Sequence, residues 1–212
     1  MSVLDAVSFA DGHGRATLGP VSVQPIFPPR ILTVSEYLEL DEPEFGFSEL
    51  VEGHLVMSPS PIPRHGRVAY RIAKALEHHL PAGFEVLLDL DVDLELAPKN
   101  GAGTVRRPDV LVVDESASRR IDDEGGVITA ADVLLVVEIV SPSTIRTDNV
   151  VKRIEYADAG IGHYWILDIS GPVTLTECVR DNRFGYTDGG RITGTFSTTA
   201  PFPVTIDLDA LT

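Results

Sequence analysis

The chain has 212 residues, 43% hydrophobic and 23% charged, a balance that excludes a disordered polymer and suits a sizeable core. Its one cysteine, Cys178, excludes an intrachain disulfide framework and a Cys-rich zinc module. No basic stretch leads into an apolar run and no stretch of about 18 apolar residues occurs, so a cytoplasmic protein without a membrane span is expected. The formal net charge of −15 argues against any nucleic-acid reading, because duplex affinity draws on Lys and Arg.

Residues 1–29, rich in Gly, Pro, Ser and Ala without periodicity, read as a flexible tail ahead of a single domain over residues 30–212. Thr33 followed by Glu36 predicts a capped helix running to Leu40. Residues 47–57 alternate on both sides of Glu52-Gly53, the pattern of a hairpin or bulge. Val68, Ile72 and Leu76 recur every four residues, which predicts a helix over 64–80 with one buried and one basic face.

Residues 84–96 alternate throughout and predict one long, half-exposed strand. Its row of Asp89, Asp91, Asp93 and Glu95 reads as a solvated face rather than a metal site. Residues 110–113 and 133–140 are continuous Val-rich runs suited to strands buried on both faces. A polar, mobile loop with Asp122, Asp123, Glu124, Gly125 and Gly126 is expected between them. After Pro142, Thr147 or Asp148 caps a helix through Ala157 that Gly160 ends, and residues 163–169 and 173–179 form two strands. The order implies an α/β or α+β fold around a sheet.

Asp109, in Arg107-Pro108-Asp109-Val110, stands at the entry to one central strand. Glu138, in Val136-Val137-Glu138-Ile139-Val140, stands near the exit of the next. A carboxylate embedded in apolar sequence must find a cation, a donor or water. Asp109 is either a metal ligand or a Pro-Asp turn residue, and Glu138 either a ligand or the partner of an arginine. Mg²⁺ or Mn²⁺ suits such oxygens. The ion polarises a phosphodiester, while a nearby lysine stabilises charge or assists proton removal. Lys152 is the candidate lysine; otherwise it is an exposed helix residue paired with Asp148. Ten of the 17 basic residues flank these motifs (Arg64, Arg67, Arg71, Lys74, Lys99, Arg106, Arg107, Arg146, Lys152 and Arg153). They form either a local anion footprint or solvated faces without a partner.

Several blocks taken together resemble the Uma-type putative restriction endonuclease family of the PD-(D/E)XK nuclease superfamily, over residues 33–180. They are Glu49-Leu50-Val51-Glu52-Gly53, Ser58-Pro59, His65, Arg107-Pro108-Asp109-Val110 and Val137-Glu138-Ile139-Val140-Ser141-Pro142-Ser143-Thr144. Asp148, Lys152, Tyr156, Ala159-Gly160 and Tyr164-Trp165-Ile166-Leu167-Asp168 complete the set. The resemblance implies a restriction-endonuclease-like fold, a mixed central sheet flanked by helices, that hydrolyses phosphodiesters with Mg²⁺. It also implies that Asp109 and Glu138 are the two motif acids.

The lysine usual two residues after the second acid is Val140 here, so either Lys152, which also matches the family pattern, supplies it or none does. Glu49 matches a recurring family acid that joins the metal site directly or through water; otherwise it is an exposed hairpin acid. His65 either touches a phosphate or metal-bound water, or has no function. His163 stands where many relatives carry an acid, and no role attaches to it.

The reading that follows is a Mg²⁺-dependent endonuclease acting on nucleic acid, with DNA expected. Asp109, Glu138 and the Ile139 carbonyl hold the metal, and Lys152 supports the attacking water. The competing readings are a nuclease-like protein that binds or regulates without turnover, and a protein-interaction partner. A homodimer follows only by analogy with the two scissions of duplex cutting.

Overall fold

The computed structural model describes residues 31–212 apart from 42, 44–45, 59, 141–146, 182 and 184. The tail expected over 1–29 lies outside the described residues, as do Pro142 and Ser141-Pro142-Ser143-Thr144. Local rules set the first elements. Helix α1 (Val34–Leu38) opens on the expected capping box, in which Thr33 Oγ1 accepts from Glu36 N and Glu36 Oε2 accepts from Thr33 N. It stops two residues before the expected Leu40. Strands β1 (Phe47–Val51) and β2 (His54–Ser58) form a hairpin whose two turn residues, Glu52 and Gly53, have φ of 48° and 79°. That left-handed pair matches the twist of the flanking strands. Helix α2 (Pro63–Glu77) starts with proline in its first turn, where an amide hydrogen is dispensable, and buries Val68, Ala69, Ile72, Ala73 and Leu76.

The long strand expected over 84–96 is instead two. Strand β3 (Phe84–Leu88) ends where Asp89 turns into the left-handed region at φ 52°, and β4 (Val92–Asp93) belongs to a different sheet. The row of acids is divided accordingly. Asp91 pairs with Arg107 at 2.7 Å, and Asp93 accepts from the backbone of Glu95 at 2.9 Å. After β5 (Val105–Arg106) and β6 (Val110–Asp114), the expected mobile loop is a helix, α3 (Glu115–Glu124). Asp114 caps it by accepting from Ser116 N at 2.7 Å.

Strand β7 (Ile128–Thr129) leads to β8 (Val133–Val140), buried along nearly its whole length as its valines imply. A π-helical turn (Thr147–Val151) runs into α4 (Lys152–Asp158). Gly160, at φ 90°, closes it. Strands β9 (His163–Asp168) and β10 (Thr174–Asp181) follow as expected. They are joined by β11 (Gly185–Ile192), β12 (Thr195–Thr198) and β13 (Val204–Asp207).

The fold is α+β. A mixed six-stranded sheet, β11-β10-β9-β8-β6-β3, has β8 and β9 parallel and its other pairs antiparallel. It is accompanied by a five-stranded sheet, β2-β1-β5-β4-β7, and the β12-β13 ribbon, so the protein has more than the one sheet expected. Alternation along β8 sorts its side chains. Val137 and Ile139 face α2 and Trp165, whereas Val136 and Val140 face Tyr156 of α4, Tyr164 and the residues of β4 and β7. Among the described residues, no helix is long and apolar enough to cross a membrane.

Candidate metal and active site

Strand register brings the two expected acids together. In the antiparallel β6/β8 pair Val110 faces Val137, so one step further Asp109 stands across from Glu138. Pro108 has no amide hydrogen to donate to the ladder. Beside it the Asp109 carboxylate accepts the Ile139 amide, Oδ2 to N at 2.5 Å. Asp109 is therefore not a plain turn residue. Its other oxygen, Oδ1, lies 3.2 Å from His65 Nε2. His65 is in the first turn of α2.

Glu138 points to the α4 side of β8. Lys152, the first residue of α4, reaches it with Nζ 2.9 Å from Oε1, and Tyr156, one turn on, donates to the same oxygen at 2.7 Å. The i, i+4 spacing puts both donors on one helix face. The partner of Glu138 is thus a lysine, not an arginine. Lys152 is only 7% exposed, which rules out the solvent-facing helix lysine. Its contact with Asp148, at 3.6 Å, is longer than those with Glu138 and with Glu49 Oε1 at 3.2 Å.

Glu49 is buried as well, not an exposed hairpin acid. It accepts from Arg106 Nη1 at 2.9 Å and from Arg107 N at 3.0 Å. Arg106 in turn grips Glu155 of α4 through two bonds of 2.7 and 2.8 Å. Sequence reasoning counted Arg106 among the basic residues of an anion footprint or solvated face, whereas it is buried and paired with acids, and it assigned nothing to Glu155. The bidentate clamp fastens α4 to β5, and no short spacing in the chain signals it.

Burial drives the Glu138 carboxyl well above the ordinary carboxylate range, and the nearby charges of Asp109, Asp148 and Glu49 add to that against the opposing Lys152 ammonium. Burial works against the Lys152 charge, but Glu138, Glu49 and Asp148 more than reverse this and hold it protonated. Glu49 shows the opposite balance: burial raises its carboxyl, and Lys152, Arg106 and the Arg107 amide together bring it below 4.5. His65 is raised above 6.5, because Asp109, Asp89 and the Ile139 backbone outweigh its burial.

A divalent cation fits this donor set. Both bonds to Glu138 fall on Oε1, so Oε2 has no hydrogen-bond partner among the described residues. Beside Glu138, the charges of Asp109, Asp148 and Glu49 all act against the Lys152 ammonium. Among the described residues no three His, Cys, Asp or Glu groups are placed to hold an ion unaided. A cation such as Mg²⁺, which takes one or two carboxylates and keeps several waters, would not require a third side chain.

The Uma2 family, described as "Putative restriction endonuclease", matches residues 34–184. The chain belongs to the Uma2 family. The Uma2 match begins with α1 and ends just past β10, so it contains Glu49, His65, Asp109, Glu138 and Lys152. Five chains of solved structures also match. One is the 1.96 Å crystal structure of a putative nuclease belonging to DUF820 from Anabaena variabilis ATCC 29413. It has a TM-score of 0.60 and 18% identity, covering 85% of this chain and 97% of that one, and at that identity it supports the nuclease-like fold alone. No curated protein matches the chain.

Proposed function

We propose that this Uma2-family chain is a metal-dependent endonuclease that hydrolyses phosphodiester bonds of nucleic acid, DNA first among them. One observation carries the reading: Lys152 of α4 reaches Glu138, opposite Asp109, and so supplies the ammonium that Val140 cannot. Mg²⁺ or Mn²⁺ held by Asp109 and Glu138, with the Ile139 carbonyl as a further donor, would polarise the phosphodiester and acidify the attacking water.

The chain's own groups divide the remaining work. Lys152, kept protonated by three carboxylates, acts through its charge on the phosphate rather than as a base. Tyr156 fixes Glu138 from the second side, and His65 steadies Asp109. Glu49 is a positioning residue, bonded to Lys152 and to Arg106. Water adds to phosphorus, one P–O bond breaks, and the products are a phosphate monoester and a hydroxyl.

A second reading, a nuclease-fold protein that binds without cutting, draws on one feature. The lysine ammonium has three donor hydrogens, and three carboxylates surround it. Incubation of purified protein with supercoiled plasmid, linear duplex, single-stranded DNA and RNA, with Mg²⁺ or Mn²⁺ and with chelator, separates the two. Metal-dependent cutting that Asp109→Ala abolishes supports the nuclease. Intact substrates throughout, or unimpaired cutting by Asp109→Ala, would sink it.

A further inference from the structure

Helix α2 carries Arg64, Arg67, Arg71 and Lys74. Their spacing of three, four and three residues aligns side chains along one helix face, over about 15 Å at the helical rise. The opposite face, with Val68, Ile72 and Leu76, is buried on the six-stranded sheet. In a chain with 17 basic and 32 acidic residues, cations should find carboxylates easily. Elsewhere Arg106, Arg107, Arg119, Arg120, Lys152, Arg153 and Arg191 each contact one, and Lys99 and Arg183 do not among the described residues. None of the four on α2 contacts an Asp or Glu side chain among the described residues. Arg64 donates to the Gly171 carbonyl at 2.6 Å, and Arg71 to backbone oxygens of Ala210 and Thr212. Arg67 and Lys74 are exposed.

Tyr70 lies between these two, three residues after Arg67 and four before Lys74, with 61% of its surface exposed. The apolar packing of α2 is complete on the other face, so this ring contributes little to the core. At the N-terminal end, His65 follows Arg64 and touches Asp109. The cationic ridge therefore begins at the candidate site.

We propose that this ridge is the track for a single strand of nucleic acid, its phosphates on Arg64, Arg67 and Lys74 and an unpaired base stacked on Tyr70. Phosphate contacts alone serve duplex and single strand alike, but the exposed π face is useful only to a base out of its pair. The proposal deepens the nuclease reading and rests on it for the direction in which the strand enters.

The test is fluorescence anisotropy of a labelled single-stranded oligonucleotide with the full chain in chelator, so that binding is read without cutting. The single strand binds more tightly than the duplex of the same sequence, and affinity falls as salt rises. The double variant Arg67→Ser/Lys74→Ser lowers the slope of log affinity against log salt by about 1.4, since each single-strand phosphate contact contributes roughly 0.7. Tyr70→Ala weakens binding roughly tenfold and leaves the slope alone. Circular dichroism of these surface variants matches the parent. Parental affinity and slope in the double variant overturn the ridge. Equal or tighter duplex binding together with an unaffected Tyr70→Ala overturns the single-strand assignment. Binding that follows the ridge without any metal-dependent cutting fails the nuclease reading alone, whereas cutting with unchanged binding in both variants fails the ridge alone.

Discussion

The Lys152 ammonium sits 2.9 Å from Glu138 Oε1 although fourteen residues separate them in the chain. Replacing it by methionine keeps the long stem and removes the charge. Plasmid nicking by Lys152→Met should fall by about 10²–10³-fold, the usual consequence of losing one preorganised charge at a reacting centre. The variant also leaves Glu138, Glu49 and Asp148 facing one another without their cation. Stability should drop by about 3–5 kcal/mol, read from its thermal midpoint. Parental nicking rates in Lys152→Met would remove the lysine from the mechanism.

Asp109→Asn separates charge from geometry. The amide oxygen can still accept from Ile139 N, so the β6/β8 edge should survive and the thermal midpoint should move by only a few degrees. Calorimetric titration with Mg²⁺ should show heat of binding in the parent and none in the variant. Equal binding by both proteins would place the ion elsewhere.

Glu49 gives a pH signature. Its carboxyl is held below its ordinary value of 4.5, so its contribution to stability is complete above that pH and is lost as pH falls through the depressed value. The difference in thermal midpoint between the parent and Glu49→Gln should be widest above pH 4.5 and narrow on acidification. A gap that stayed constant through the acid limb would show that the charge of Glu49 does not matter.

Tyr156→Phe removes the second donor to Glu138 Oε1, a bond of 2.7 Å. A buried hydrogen bond to an acid, once broken, costs about 1–3 kcal/mol. Urea unfolding should show the midpoint shifted with an unchanged slope. An unaltered midpoint would mean that water replaces the hydroxyl without loss.

Features governed by neighbours in the chain could be read from the sequence. The Thr33–Glu36 box, the Glu52-Gly53 turn and the four-residue apolar repeat of α2 are of this kind. The break at Asp89 was hidden because alternation continues straight through the point where the chain leaves one sheet for another. Helix α3 was hidden by the acids and the Gly125-Gly126 pair, although Asp114 two residues ahead of Ser116 was an available cap signal. At the site, Asp109 and Glu138 stood out as carboxylates in apolar runs. The burial of Lys152 and Glu49 did not, because it depends on contacts such as Arg106–Glu49, which spans 57 residues.

Val140 looked at first like a defect in the motif, yet its side chain is fully buried among Val136, Tyr156 and Tyr164. With the amine moved to a helix, the strand is free to stay apolar to its end, and the charged constellation is divided among β8, β1, α4 and the turn before it. Helix α4 is only seven residues long, and a short helix can open locally at less cost than the sheet beneath it. Such an opening would carry the cation away from Glu138 and Glu49, which stay on their strands. Electrical balance in the pocket is therefore a property of tertiary docking, absent from any one element alone.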